Sequence, residues 1–336
     1  MKKVFLIGEA GVNHNGKLHH AIELVDIAVE AGLDAVKFQT WKTELLLTKH
    51  VKKAAYQIAN TGNEESQFEM IKKLELPFED FNTLKKYCDS KDIMFLSSST
   101  DFASADYLVS IGMEKFKVSS ADLTNYPYLK HIAKYNKEII LSTGMANINE
   151  IIDAVQVLTD NGTPLDNVSI LHCNTEYPTK FEEVNLLAMN EIREKTQIQN
   201  IGYSDHTEGI EVSIAAVALG AKIIEKHFTI DKNMDGPDHK ASLEKGELKK
   251  MVESIRNIEK AISGNGKKVP SRSEVNNIPV VRKSIVAINP IQKGEFYTED
   301  NIGVKRPGTG ISPMEWSNVL GSLANKDYSI DDLIQL

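Results

Sequence analysis

Short apolar, β-branched runs alternate along the chain with longer segments whose apolar residues recur every three or four positions. The segment from Leu18 to Val29, stopped by Gly32, has the spacing of an amphipathic helix. Alternating strands and helices favour parallel pairing through right-handed crossovers, and eight units favour a closed (β/α)8 (TIM) barrel of the α/β class. We predict strands at Val4–Ile7, Ala35–Phe38, Ile93–Leu96, Lys115–Val118, Glu138–Leu141, Val168–Leu171, Asn200–Tyr203 and Lys222–Glu225.

The spacing of these units is regular except between the second and third strands. A doubly wound open sheet is the alternative, but no Gly-x-Gly-x-x-Gly motif follows a strand. Trp41 to Leu76 forms a long excursion between the second and third strands, and loops of that size commonly cover a site. After the last helix, the chain reads as a linker over residues 264–279.

We therefore predict a barrel domain over residues 1–263 and a small β-rich domain over residues 280–336. The small domain is expected to form strands at Val280–Ile288, Glu295–Thr298 and Ile302–Lys305. A core of that size is marginal alone, so the domain is expected to pack on something else.

Composition excludes several classes of protein. The 336 residues carry a formal net charge of −8, so nothing suggests a nucleic-acid partner. No apolar run is long enough to span a membrane, and the N-terminal apolar run is too short for a secretory signal. The two cysteines, Cys88 and Cys173, form no Cys-x-x-Cys motif. We expect a cytoplasmic protein without a membrane partner.

Polar residues concentrate where each predicted strand ends. In a barrel all eight carboxyl ends meet on one face, where active sites lie. Strand ends are often polar because they approach solvent, and this explains a single serine there. It does not explain the whole set of charged and imidazole side chains. His206 and His227 end adjacent strands and could bind a labile divalent cation such as Mn²⁺, or each could simply be hydrogen-bonded in a polar core. Glu225 could orient a histidine or neutralise Lys226.

Lys37 and Lys117 lie among hydroxyl side chains at these strand ends. They suit an oxyanion cradle for phosphate or carboxylate oxygens. A Schiff-base lysine is the runner-up, and pairing with Glu9 or Asp122 is the purely structural alternative. In the small domain, Arg306 belongs either to a basic surface turn or to a loop that presents it to a site.

Seven motifs in order resemble the bacterial sialic acid synthase family, which includes N-acetylneuraminate and legionaminate synthases. They are Glu9–Gly16, Val36–Thr40, Leu141–Met145, Ser204–Thr207, Glu225–Thr229, Gly236–His239 and Lys305–Gly308. The resemblance covers the whole chain, and the tail resembles the family's antifreeze-like (SAF) domain, a β-clip fold.

This resemblance implies condensation of phosphoenolpyruvate with an N-acetylated mannosamine-type sugar, giving a nine-carbon keto acid and phosphate. The sugar would be N-acetylmannosamine or a 2,4-diacetamido-2,4,6-trideoxymannose, and the acid N-acetylneuraminate or N,N'-diacetyllegionaminate. It implies Mn²⁺, replaceable by Mg²⁺ or Co²⁺, on His206 and His227. It also implies a homodimer in which one subunit's SAF domain covers its partner's barrel, with Arg306 reaching the sugar.

The family's substrate contacts carry over to matching positions. Phosphoenolpyruvate contacts map to Lys37, Ser98, Lys117, Ser120, Ser142, Thr175 and Ser204. Sugar contacts map to Glu9, Gln39, Asp122, Tyr177 and Asp238. Glu9 or Asp122 would be the catalytic base. The chain departs from the family pattern at Ser99, Thr100, Ala121 and Asp122. These departures leave a catalytically inactive sugar-acid binding protein as a further alternative, beside the Schiff-base aldolase.

Overall fold

The computed structural model describes residues 3–62 and 65–336. The chain separates into two compact units, residues 1–263 and 264–336, and each is described by itself. No helix in the described ranges is both long and apolar enough to cross a membrane.

Eight parallel strands form the first unit's sheet, and the predicted (β/α)8 barrel is confirmed. They are β1 (Phe5–Gly11), β2 (Ala35–Thr40), β3 (Met94–Ser99), β4 (Lys115–Val118), β5 (Glu138–Ser142), β6 (Val168–Cys173), β7 (Ile201–Asp205) and β8 (Ile223–His227). Their hydrogen-bonded order is β3-β2-β1-β8-β7-β6-β5-β4, and β3 and β4 lie against each other to complete the circle.

Most strands run further than the apolar pattern predicts. β2, for example, stays paired with β3 through Gln39↔Ser98 and Thr40↔Ser99. Backbone pairing does not require apolar side chains, so the ladder continues into the polar residues. The polar strand ends are therefore part of the rigid barrel.

Helices surround the barrel. In the first unit they are α1 (Leu18–Ala31), α2 (Thr43–Leu46), α3 (Ala55–Thr61), α4 (Gln67–Leu74), α5 (Phe78–Ser90), α6 (Phe102–Ser110), α7 (Tyr126–Ala133), α8 (Ile148–Asp160), α9 (Ala188–Thr196), α10 (Glu211–Ala218) and α11 (Lys245–Ala261). Gly32 caps the end of helix α1 with a φ of 80°, which suits glycine, as the sequence predicts.

The barrel interior is divided into two layers. Its apolar layer consists of Ile7, Ala35, Leu96, Ile140, Leu171 and Ile223. Side chains two residues apart on a strand share a face, so Glu9 follows Ile7, and Lys37 follows Ala35, on the inner surface. The apolar layer thus closes the barrel beneath a layer of polar side chains.

The excursion between β2 and β3 carries α2, α3 and α4. A separate apolar cluster holds it against the loop after β1, where Val12 packs with Trp41, Ile71 and Leu74. Glu75 fixes the start of α2, because its Oε2 accepts from the Thr43 backbone N (3.0 Å) and the Thr43 Oγ1 (2.7 Å).

The second unit has its own apolar core, which includes Ile285, Tyr297 and Tyr328. Its elements are α12 (Arg272–Val275), α13 (Ile278–Val281), β9 (Ser284–Ala287), β10 (Ile302–Lys305) and α14 (Trp316–Val319), with β9 and β10 antiparallel. The strand predicted at Val280–Ile288 is wrong in its first residues, because Ile278–Val281 forms a helical turn with Pro279 near its start. The strand predicted at Glu295–Thr298 is also wrong: Phe296 makes only an isolated bridge to Leu323.

Candidate active site

A cavity of about 380 Å³ opens at the carboxyl ends of the barrel strands. All the predicted site residues of the first unit except Asp122 line it: Glu9, Lys37, Gln39, Ser98, Lys117, Ser120, Ser142, Thr175, Tyr177, Ser204, His206, His227 and Asp238. Residues far apart in the chain meet here because they belong to the carboxyl ends of the strands or to the loops that follow them.

Asp122 does not line the cavity. It closes a 3₁₀ turn after β4, where its oxygens accept from Ser119 Oγ (2.7 Å) and Asn125 Nδ2 (3.2 Å). Arg306 follows β10 in the second unit and is exposed there. The geometry supports Glu9 over Asp122 as the cavity's candidate base, and the role of Arg306 stays a prediction.

Two lysines and two glutamates form a buried charge cluster on the cavity floor. Lys37 Nζ lies 2.6 Å from Glu9 Oε2 and 3.9 Å from Glu225 Oε1, while Lys117 Nζ lies 3.3 Å from Glu225 Oε1. Burial acts to raise the pKa of Glu225, but Lys117 and Lys37 lower it below its usual value. With both glutamates ionised, the four charges cancel.

The pKa values of these groups differ because their surroundings differ. Burial acts to lower the pKa of Lys37, but Glu225 and Glu9 outweigh it and raise that pKa. Burial lowers the pKa of Lys117, which Glu225 only partly offsets. Burial also raises the pKa of Glu9, against the pull of Lys37. The cavity thus holds a carboxylate and an amine whose pKa values are displaced toward neutrality.

Hydroxyl groups surround the lysines. Lys37 Nζ donates to Ser98 Oγ (3.2 Å), and Ser204 Oγ donates to Glu225 Oε1 (3.2 Å). Ser120 Oγ accepts from the Gly144 backbone N–H at 3.0 Å. Ser142 Oγ is buried and has no hydrogen-bond partner among the described residues. Such a set of donors suits anionic oxygen atoms.

His206 and His227 lie together, with ring centroids 5.4 Å apart. His206 Nδ1 is hydrogen-bonded to the Asn174 carbonyl, which leaves its Nε2 free as a ligand atom, and His227 Nδ1 has no partner among the described residues. Burial lowers the pKa of His206 to about 4, and burial together with His206 lowers that of His227 well below its usual value. Both imidazoles are therefore neutral near pH 7.

This pair fits a labile divalent cation. Neutral imidazoles bind Mn²⁺ and similar metals, and two ligands leave positions for water and substrate. Within residues 3–62 and 65–336, no group of three or more His, Cys, Asp or Glu is arranged to hold a metal. The chain would thus contribute two histidines and no complete structural site.

Aromatic stacking supports the histidines from the side. Tyr177 lies over His206 with ring centroids 4.2 Å apart and meets His227 edge-on at 5.6 Å. Tyr56 of α3 packs on Tyr177 at 5.1 Å. Asp238 Oδ2 lies 4.0 Å from His227 Nδ1, and burial raises the pKa of Asp238 to about 7.

Comparison with known proteins matches this architecture to one family. Residues 24–268 match the NeuB family, and residues 282–336 match the SAF domain. An N,N'-diacetyllegionaminic acid synthase of Campylobacter jejuni is 51% identical, with all of both chains covered. A synthase of the same name from Legionella pneumophila is 44% identical over 97% of this chain and 91% of its own length. The crystal structure of an N-acetylneuraminic acid synthetase from Leptospira borgpetersenii, in complex with citrate, superposes with a TM-score of 0.72. It is 35% identical and covers 82% of this chain and 90% of its own.

The chain belongs to the NeuB family. The resemblance seen in its motifs is confirmed, and so is the SAF-domain assignment of the tail.

One sequence-based interpretation of this NeuB-family chain is wrong. Glu225 does not neutralise Lys226, because successive residues of a strand face opposite sides. Lys226 points away from the cavity, where its Nζ lies 3.1 Å from Asp205 Oδ2 and donates to the Thr207 carbonyl at 2.6 Å. Glu225 faces the cavity lysines instead.

Sequence reasoning also missed the residues that the excursion brings to the NeuB-family cavity. The excursion supplies Leu46, Leu47, Tyr56, Gln57, Gln67 and Ile71 to the cavity lining. These residues follow no strand, so topology does not place them. The length of the excursion was the only signal, and it predicted a cover without naming the residues that form it.

Proposed function

We propose that this chain is a nonulosonic acid synthase that condenses phosphoenolpyruvate with 2,4-diacetamido-2,4,6-trideoxymannose into N,N'-diacetyllegionaminate and phosphate. Identity of 51% over the full length to a synthase named for that product supports this choice of acid. The cavity supports the chemistry, since lysines, hydroxyls, a carboxylate and neutral imidazoles converge on one space.

The charge balance of the cavity floor is the observation that carries the proposal. Lys37 and Lys117 stand against Glu9 and Glu225, so the floor is close to neutral without a cation. Phosphoenolpyruvate carries a carboxylate and a phosphate, and it would bring several negative charges into a buried site. A divalent cation near the histidines is therefore expected to accompany it.

His206 and His227 would hold that cation, with Mn²⁺ as our expectation and Mg²⁺ or Co²⁺ as substitutes. When bound, the cation would polarise the aldehyde of the open-chain sugar as a Lewis acid. The histidines would direct C1 of the sugar toward their side of the cavity, while Lys37, Lys117 and the serines would hold the phosphate and carboxylate of phosphoenolpyruvate.

Bond changes follow from this placement. C3 of phosphoenolpyruvate attacks the aldehyde carbon, a C–C bond forms, and C2 becomes oxocarbenium-like. Water adds at C2, and phosphate then leaves by cleavage of its C–O bond. The two protons of the water end on the former aldehyde oxygen and on the phosphate. We propose Glu9 as the base for the water, because its carboxylate lines the cavity and burial raises its pKa.

The further partner interactions stay predictions. A homodimer in which the SAF domain covers the partner's barrel is expected to place Arg306 on the sugar. Deletion of residues 280–336 should then weaken use of the sugar more than binding of phosphoenolpyruvate. Unchanged sugar kinetics in the truncated chain would refute the covering role.

Phosphate release tests the proposal. The chain with Mn²⁺ and phosphoenolpyruvate should release phosphate when 2,4-diacetamido-2,4,6-trideoxymannose is added, and removal of the metal with EDTA should stop release. Faster release with N-acetylmannosamine would move the assignment to N-acetylneuraminate. No release with either sugar would refute the synthase.

One observation favours a second candidate, a Schiff-base aldolase. Burial lowers the pKa of Lys117, which makes this amine more available as a nucleophile. Borohydride reduction in the presence of pyruvate should then attach pyruvate to Lys117, as detected by mass spectrometry. An unmodified lysine together with metal-dependent phosphate release would exclude the aldolase.

A further inference from the structure

The excursion contributes apolar side chains to the cavity lining. Leu46 and Leu47 at the end of α2 and Ile71 of α4 line the cavity, together with Val12 from the loop after β1. Ile71 and Val12 are fixed by packing with Trp41 and Leu74. This apolar wall (Val12, Leu46, Leu47 and Ile71) contrasts with the charged floor of the same cavity.

The polar side chains of the excursion are occupied in part by one another. Gln67 Nε2 donates to Gln57 Oε1 at 3.3 Å, and the same oxygen accepts from the Ala54 backbone N at 2.9 Å. The amide oxygen of Gln57 is thus engaged within the excursion. A hydroxyl group placed against the leucines would leave water without gaining a matching partner there, which costs free energy.

We propose that the apolar wall receives C6 of the sugar and makes the enzyme select a 6-deoxy sugar. The inference rests on the proposed function, which places C1 of the sugar at the histidines. The histidines lie at the ends of β7 and β8, whereas the wall consists of side chains of the excursion and of Val12 after β1. C6 is the carbon farthest along the chain from C1, so we assign it to this wall.

The expected preference follows from the chemistry of C6. A methyl group at C6 gains contact with the leucines, whereas a hydroxymethyl group places its hydroxyl against side chains that offer it no hydrogen bond. Discrimination of this kind in an apolar pocket is about tenfold or more in kcat/KM. The wall is therefore a specificity determinant, separate from the groups that carry out the bond changes.

Two sugars that differ only at C6 test the inference: N-acetylmannosamine and 2-acetamido-2,6-dideoxymannose. The chain should use the 6-deoxy sugar about tenfold better in kcat/KM. Leu46→Asn and Leu47→Asn should each reduce this ratio severalfold, because the amide offers the hydroxyl a partner. Leu45→Asn is the matched control, since Leu45 is 62% exposed and does not line the cavity.

The outcomes distinguish a failure of the apolar wall from a failure of the proposed synthase activity. A lost preference in Leu46→Asn or Leu47→Asn, retained in Leu45→Asn, supports the wall. A wild-type chain without preference, or variants that slow both sugars equally, would overturn the wall and leave the synthase intact. If the wild-type chain releases no phosphate with these sugars or with the diacetamido sugar, the proposed function fails, and the wall fails with it.

Discussion

Two buried lysines of similar chemistry lie on opposite faces of the barrel wall, and their surroundings differ. Lys226 is enclosed: Asp205 and the Thr207 carbonyl meet its ammonium, while Asp205 also accepts from Thr207 and from Ser213 Oγ at 2.7 Å. Lys117 lies at the cavity, with Glu225 at 3.3 Å as its ion-pair partner. The first lysine has its partners within the fold, and the second retains capacity for a ligand.

This difference shows what burial of a charge can indicate. A buried ion pair alone is weak support for either stability or function. The Lys226 pair completes its hydrogen bonds and behaves as structure. The Lys117 pair borders a cavity, and Glu225 Oε2 is buried without a hydrogen-bond partner in the part of the chain that the structure describes, so this pair is a candidate for chemistry. We therefore expect substitutions at the cavity to lower activity and a substitution at Lys226 to lower stability.

The largest expected effect is the loss of phosphate release when one of the two cavity histidines is replaced. His206→Ala or His227→Ala should reduce metal-dependent phosphate release about 10³-fold, because several kcal/mol of stabilisation by the cation is lost. The unfolding midpoint should change little. Full activity of either variant in EDTA would contradict the role assigned to the pair.

The cavity lysines come next. Lys37→Met or Lys117→Met should reduce phosphate release about 10²-fold, the usual cost of one donor to an anionic site. Steady-state kinetics with both substrates would measure this loss. A decrease no larger than that of Lys226→Met in the same assay would erase the distinction between the two lysine environments.

Lys226→Met should show the opposite pattern. The variant leaves Asp205 buried without its cation, and we expect a loss of about 3 kcal/mol in the free energy of unfolding. Urea unfolding would measure it, with Lys117→Met as the comparison. Activity per folded molecule should stay near the wild-type value, so a strong decrease in kcat at unchanged stability would show that Lys226 serves the reaction.

The smallest expected effect is a pH-dependent change in stability at Glu75. Like Asp205, its carboxylate accepts several hydrogen bonds, but it lies nearer to solvent. Burial acts to raise the pKa of Glu75, but Thr43 and Lys72 lower it to about 2. A lowered folded-state pKa means that the stabilisation is present above the usual value of 4.5 and is lost as the pH falls toward 2. The stability advantage over Glu75→Gln should therefore be constant near neutrality and shrink below pH 4.5. Urea unfolding at pH 7 and pH 4 measures it, and a constant difference would contradict the assignment.

The barrel and its floor could be predicted because two simple rules act together. Parallel strands bring their carboxyl ends to one face, and the period of two fixes which side chains face inward. Lys37, Ser98 and His227 therefore lie where the sequence predicts. The same period shows why Lys226 and Glu225, although adjacent, cannot share one environment.

Local turns and long loops set the limit of that prediction. A single 3₁₀ turn keeps Asp122 out of the cavity lining. A helical turn at Ile278–Val281 stands where the predicted strand begins. The apolar wall depends on how the excursion packs through Trp41 and Leu74, a long-range contact without a sequence period. Local turns determine the first two features and tertiary packing determines the third, and hydrophobic patterning encodes neither.

The most direct test of the central claim follows the bridging oxygen of phosphoenolpyruvate. The chain is incubated with Mn²⁺, the diacetamido sugar and phosphoenolpyruvate labelled with ¹⁸O between C2 and phosphorus, and both products are analysed by mass spectrometry. We predict equal amounts of N,N'-diacetyllegionaminate and phosphate, with the label in the phosphate. Label retained in the sugar acid, or consumption of phosphoenolpyruvate without a nine-carbon acid, would contradict the account.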